Sequence, residues 1–304
     1  MGYNISTLPD HIVRSENMEK FHFESVLGGQ TLDFLSNEGA LSEGVLGSTE
    51  PINFMKNTLV WQSGVVCKLS ELGETALSEA TVYIAPIAFK QAYCSLELAT
   101  KWKSEKVKQQ KKNIALDELQ FGNEITNDLI QLNKADVEKA VWLGDSTKTG
   151  NMKFVEGFLK QLSTGTFALG TLTATDMIGK ITEAYLKMPS AVTNAPDFRV
   201  FIGTNEYKKY RAELASKNLF HKEDEFAVFG TSAQFVVVDG LDATNKVVFA
   251  RARNLQARAD YEGTEAKVDV WYEKNDDEMK IRARFGLGVK AIFKQEIGVL
   301  NLGA

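Results

Sequence analysis

Between Met279 and Lys294 the chain alternates between two chemistries, residue by residue. Met279, Ile281, Ala283, Phe285, Leu287, Val289, Ala291 and Phe293 fall on one side; Lys280, Arg282, Arg284, Lys290 and Lys294 fall on the other. A period of two sends successive side chains to opposite faces of a strand, so this run predicts one long β-strand with one buried face. At about 3.3 Å per residue it would extend roughly 50 Å, against a usual strand of about 5–6 residues. Such a strand suits a flat building block better than the wall of a compact pocket. Lys267 to Glu273 pairs naturally with it across the turn Asn275-Asp276-Asp277-Glu278.

A helix of matching length is expected over Asn113 to Leu143. Ile114, Phe121, Ile125, Leu129, Leu132, Val137 and Val141 recur close to a helical face. Asn113 has the chemistry of an N-cap and Gly144 that of a stop. Together they predict an elongated layer of helix packed on sheet. Residues 166–250 read as a more compact α/β unit. It has helical stripes at Met177 to Met188, with Thr175 as cap, and at Thr204 to Lys217; buried strands are expected at Arg199 to Ile202, Phe235 to Val238 and Val247 to Ala250. Leu59 to Ala85 predicts a long hairpin, with strands at Val60 to Leu69 and Thr81 to Ala85 and a connection containing Gly73. Residues 1–48 are polar and broken by glycines at 28, 29, 39, 44 and 47. They predict an extended arm with one short helix, able to bury little alone and expected to lie on a partner chain.

Composition excludes several classes. With 304 residues, 44 % hydrophobic and 25 % charged, the chain can build one or two ordinary cores. A net charge of −5 argues against a dedicated nucleic-acid binder. Lys101 to Lys112 holds six lysines and one glutamate, a pattern that reads first as a solvated connector and second as a local basic patch. Met1 to Lys20 lacks a basic stretch followed by an apolar core, and no run nears about 18 consecutive apolar residues, so neither a secretion signal nor a membrane span is expected. Cys67 and Cys94 fit no disulfide framework or zinc motif, and are expected as free thiols.

Catalytic chemistry finds little to stand on. His11, His22 and His221 are scattered and lack ligand spacing. Gly144-Asp145-Ser146-Thr147-Lys148-Thr149-Gly150 looks like a phosphate loop but follows a helix and lacks the Gly-Lys-Ser/Thr ending. Lys148-Thr149-Gly150 echoes a β-lactamase triplet without the Ser-x-x-Lys nucleophile motif. Gly286 and Gly288 inside the long strand read as relief of twist or room for another backbone. Asp276, Asp277 and Glu278 read as a solvated hairpin tip. The expectation is therefore no catalytic residue, no cofactor, no metal and no enzyme.

The order of elements resembles that of a known family. A helix carrying Glu138 and Ala140 runs into Trp142-Leu143-Gly144-Asp145 and then Phe154-Val155-Glu156-Gly157-Phe158; Phe201-Ile202-Gly203-Thr204-Asn205-Glu206-Tyr207 steps from strand to helix; Arg282-Ala283-Arg284-Phe285-Gly286-Leu287-Gly288-Val289 closes the set. In this order the motifs are similar to those of the major capsid proteins of tailed bacteriophages, the Hong Kong phage capsid fold. The resemblance covers the chain from about Thr49 onward and implies an α+β fold. Its parts would be an N-terminal arm (1–48), an extended β-hairpin loop (49–85), a peripheral domain with the long spine helix (86–165), a compact axial α/β domain (166–254) and a return to the peripheral domain through a long β-hairpin (255–304).

It further implies a structural protein of the virion, assembled in the host bacterial cytoplasm. Such a subunit forms pentamers and hexamers of an icosahedral shell around double-stranded DNA, bound without sequence specificity, with scaffolding, portal and decoration proteins as further partners and no membrane. An arm of 48 residues is too short to contain a large scaffolding segment, so scaffolding is expected as a separate protein or a segment already removed. In some relatives a loop lysine joins a neighbour's asparagine. Lys68 and Asn275 have those residue types, but no assisting carboxylate is identified. A protein nanocompartment shell of the encapsulin kind is the alternative; a soluble α/β enzyme on 166–250 would need clustered reactive residues.

Overall fold

The computed structural model describes residues 24–65, 70, 72–94, 96–98, 100–101, 118–219, 226–260 and 267–303. In chain order the helices are α1 (Gln30–Asn37), α2 (Glu118–Leu143), α3 (Met177–Lys187) and α4 (Thr204–Ser216), with one-turn helices at Phe158–Gln161 and Ser190–Thr193. The strands are β1 (Leu41–Glu43), β2 (Thr49–Thr58), β3 (Glu74–Tyr83), β4 (Ala85–Cys94), β5 (Phe198–Ile202), β6 (Gln234–Val237), β7 (Lys246–Arg251), β8 (Leu255–Asp260), β9 (Lys267–Glu273), β10 (Glu278–Ala291) and β11 (Gly298–Asn301).

The alternating run is β10, and its length has a topological cause. One edge pairs with β4 from Glu278 to Leu287. Its other edge is shared end to end, with β9 along Glu278 to Arg284 and β8 along Gly286 to Ala291. With β1 parallel on β8, this makes a five-stranded sheet about 45 Å long at its longest strand. The strand stops at Ala291, so Phe293 and Lys294 lie beyond the alternation. Met279, Ile281, Ala283, Phe285, Leu287, Val289 and Ala291 are buried, as the period requires.

Helix α2 packs its apolar face on that sheet. Leu129 and Ile130 meet Met279, Ile281 and Ala283 along one half, and Val137, Val141 and Trp142 enter a larger core with Phe285, Leu287 and Val289 along the other. Leu132, expected in the buried stripe, is instead 57 % exposed. It lies three residues after Leu129 and five before Val137, off the line those two define at 3.6 residues per turn. The helix is described from Glu118, so the expected cap at Asn113, Ile114 and the lysine-rich run beyond Lys101 lie outside the described residues.

The four-stranded sheet, β11-β7-β5-β6, has β5 and β6 parallel and its other pairs antiparallel. Helices α3 and α4 pack on it through Ile178, Ile181, Ala184, Tyr210 and Leu214. The α3 cap is Asp176, whose carboxylate accepts from the Gly179 N–H, and not Thr175. Strand β11 returns to β7, so the end of the chain joins this sheet and leaves the layer of the long hairpin.

Two expectations near the start are corrected. Residues from Glu24 onward pack on their own chain: Val26, Leu27, Leu32, Leu35 and Ala40 are buried in the main core. The helical spacing of Leu32 and Leu35 gives α1 one apolar face, which the body of the chain covers. The hairpin is also shifted. β2 and β3 pair from Thr49 with Tyr83 to Thr58 with Glu74, and Val60 to Val65 form no strand. Residues 66–69 lie outside the described residues.

Candidate functional site

No catalytic constellation is assembled among the described residues, and no group of three or more His, Cys, Asp or Glu there could hold a metal ion. No helix among them is long and apolar enough to cross a membrane. Two arrangements stand out: a hairpin whose apolar end nothing covers, and a buried polar anchor where three segments meet.

The hairpin is a two-stranded ribbon of ten residues per strand. Its base is held firmly. Ile52 and Val82 are buried, and the Phe54 ring meets Phe293 edge-on at 4.7 Å between centroids. Gly288 explains how the base lies against β10: a Cβ there would sit 2.3 Å from the Tyr83 carbonyl oxygen, so only glycine admits that backbone. Toward the tip the packing ends. Leu59 is 86 % exposed, Trp61 95 % and Val65 92 %, with Met55, Val60, Leu72 and Leu77 also exposed. Across the tip the Gln62 side-chain amide accepts the Ser70 N–H at 2.9 Å and donates to the Ser70 carbonyl.

The anchor is Glu138 on α2. Its carboxylate accepts the Thr31 N–H at 3.0 Å and the Thr31 hydroxyl at 2.5 Å. The same hydroxyl accepts the Trp142 indole N–H at 2.6 Å, so each polar atom is matched. Burial pushes the Glu138 pKa up, the Thr31 bonds pull it down, and the nearby Asp239 charge adds to the rise. Gly240 lets a third segment in: a Cβ there would lie 2.5 Å from both the Glu138 carbonyl oxygen and Trp142 Cδ1. Gln30 and Asp239 exchange bonds beside it, Asp239 N–H to Gln30 Oε1 at 2.7 Å and Gln30 Nε2 to Asp239 Oδ2 at 3.3 Å. The anchor thus ties the arm to α2 and to the end of the second sheet.

No protein-family model matches the chain, and no curated protein matches it. Solved structures do. A chain of the cyanophage A-1(L) capsid asymmetric unit superposes with a TM-score of 0.57 at 10 % identity, over 90 % of this chain and 93 % of that one. A chain of the satellite phage P4 procapsid that includes the size determination protein gives 0.52 at 12 %, over 90 % and 87 %. One from Gordonia phage Cozz gives 0.55 at 9 %, over 88 % and 85 %.

The chain has the phage major capsid fold.

Within that fold the residues singled out from sequence fall as follows. Gly144-Asp145 forms a locked turn and not an anion cradle. Asp145 accepts from the Thr147 hydroxyl and N–H at 2.7 and 3.0 Å and from Lys160 at 3.0 Å, which together lower its pKa to about 2. A Cβ at Gly144 would lie 2.2 Å from the Val155 carbonyl oxygen, and one at Gly157 2.6 Å from the Gly144 nitrogen. The capsid-like motif is therefore a site of close backbone contact. Asp276 and Asp277 sit in the tight turn before β10, where they hold Lys280 and Tyr272. Cys94 is a free, exposed thiol. Asn275 is exposed, while Lys68, Cys67, His11, His22 and His221 lie outside the described residues. Sequence reasoning missed Thr31. Its partner is 107 residues away, and a lone threonine in a polar segment carries no local signal of that contact.

Proposed function

We propose that this chain is the major capsid protein of a tailed phage, a structural subunit that assembles into pentamers and hexamers of an icosahedral shell around double-stranded DNA. The observation that carries the reading is the hairpin with an uncovered apolar tip, on a chain with the capsid fold. An isolated two-stranded ribbon is marginal in water, and apolar surface left in water forgoes about 25 cal/mol per Å². A tip bearing Leu59, Val60, Trp61 and Val65 gains that energy by lying on another molecule. A projection on one side that engages a different surface of the next copy makes a head-to-tail contact. Such contacts close into rings when the rotation permits.

In this reading 49–85 is the extended loop, 86–165 with most of 255–304 the peripheral domain, and 166–254 the axial domain, to whose sheet β11 is added. A net charge of −5 suits a wall that encloses DNA without gripping it. Scaffolding, portal and decoration proteins are further partners, with assembly in the bacterial cytoplasm and final residence in the virion. Expression of the chain alone, followed by size-exclusion chromatography and negative-stain electron microscopy, tests the proposal. Shells, tubes or five- and six-membered rings are expected. A monodisperse monomer that stays so with scaffold added would contradict it. Particles filled with protein in place of nucleic acid would point to a nanocompartment.

A further inference from the structure

We infer that Glu206, Asp242 and the Leu241 carbonyl form a cation site of the calcium class at the step from β5 to α4. Glu206 is the third residue of α4 and only 1 % exposed, and its Oε2 has no hydrogen-bond partner among the described residues. A buried carboxylate oxygen without a donor is costly, more so than a neutral group. Its surroundings sharpen the need. A Cβ at Gly203 would lie 2.3 Å from Glu206 Oε2 and 2.9 Å from both Asp242 Oδ1 and the Leu241 carbonyl oxygen. Three oxygens therefore converge beside the Gly203 Cα, two of them from carboxylates. Gly203 has a φ of −68°, which any residue adopts, so glycine is needed there for space and not for backbone freedom.

A donor set made only of oxygens, with two carboxylates in it, selects a hard cation. Calcium takes oxygen ligands at about 2.3–2.6 Å in irregular geometry and completes its shell with water, whereas magnesium demands a near-octahedral set. Asp242 is aimed by α4: its Oδ1 accepts the Asn205 N–H at 2.9 Å and its Oδ2 the Asn205 side-chain amide at 3.3 Å. The Leu241 carbonyl accepts the Thr244 N–H at 3.2 Å and hydroxyl at 2.7 Å, so it is the weakest of the three donors. Asp239 adds a further carboxylate beside the site, where it accepts the Thr204 hydroxyl at 2.5 Å. These charges outweigh the positive end of the α4 dipole, equivalent to about half an elementary charge. A cation here ties the end of β5 and the start of α4 to the turn that carries Gly240, which itself lies against Trp142. Three protein oxygens place the affinity at the weak end for calcium, with a dissociation constant of about 10⁻⁴–10⁻³ M.

Melting of the full chain in EDTA and in about 10 mM calcium, beside Glu206→Gln, tests the site. The parent should gain several degrees in calcium, since that concentration is about 10–100 times the dissociation constant. Glu206→Gln should melt no lower than the parent in EDTA, because its amide can donate to Asp242 and to the Leu241 carbonyl, and it should gain nothing from calcium. Terbium, which takes calcium's ligands, gives a second readout. Tryptophan excitation, with Trp142 as the near donor, should give sensitised emission that calcium displaces in the parent and that falls at least tenfold in Glu206→Gln. Equal calcium gains in the two chains, or terbium emission that survives the substitution, would overturn the proposal by placing the ion elsewhere. No gain in the parent would also overturn it, and would leave a proton as what sits between the two carboxylates. All the ligands belong to one subunit, so each result reads the same for dispersed chain and for shells, and a failure here leaves the shell proposal standing.

Discussion

At the scale of single residues, the fold depends on polar groups that are buried only because each has its match. Glu138→Leu would leave the Thr31 N–H and hydroxyl without an acceptor, and an unsatisfied buried group costs about 1–3 kcal/mol. Urea unfolding should show that loss. Charge state adds a pH signature. Burial lifts the folded pKa of Glu138 above 4.5, so its contribution is fully present below the unfolded value and lost as pH rises through the folded one. Glu183 behaves in the opposite sense. The Ala174 and Thr173 amides, with Lys187, hold it at about 2, so its stabilisation is present above 4.5 and lost as pH falls toward 2. Melting temperature against pH should therefore flatten on the acid side in Glu183→Gln and above pH 4.5 in Glu138→Gln. An unchanged acid limb in Glu183→Gln would remove that carboxylate from the account.

At the scale of elements, legibility followed from how many neighbours an element has within its own chain. β10 and β5 were readable because one face, or both, meets a core made of this chain. β9 was placed by its pairing with β10. β8 was not readable: Leu255, Ala257 and Ala259 alternate properly, but two alanines at inward positions carry a weak apolar signal. β4 mixes alanine, proline and lysine, and only pairing with β10 makes it a strand. The hairpin misled in an instructive way. Val60, Trp61 and Val65 have the composition of a buried strand, but they are exposed on this chain and form no strand. The true strands, β2 and β3, mix polar residues with Ile52, Phe54 and Val82 at the base, and beyond that base they stand on backbone pairing. Gly288→Ala tests the joint between the hairpin and β10. The added Cβ falls 2.3 Å from the Tyr83 carbonyl oxygen, so a loss of about 1–3 kcal/mol is expected. Gly47→Ala would test something else, since the strain there comes from a φ of +72° with open space around it.

At the scale of the whole molecule, fold and candidate site differ in how much the chain alone reveals. An α+β capsid fold could be read from the order of a few motifs. The anchor at Glu138 could not, because it arises from a contact between residues 107 apart in the chain. The central claim is that the exposed hairpin tip is an intersubunit contact. Replacing residues 60–72 with Asn-Gly, a two-residue turn, leaves the paired strands and their base intact. Sedimentation velocity of this variant beside the parent, under conditions where the parent assembles, tests the claim most directly. The account predicts a folded subunit with the parent's melting temperature that sediments as a small species and forms no shells. Shells of normal size from the variant would contradict it.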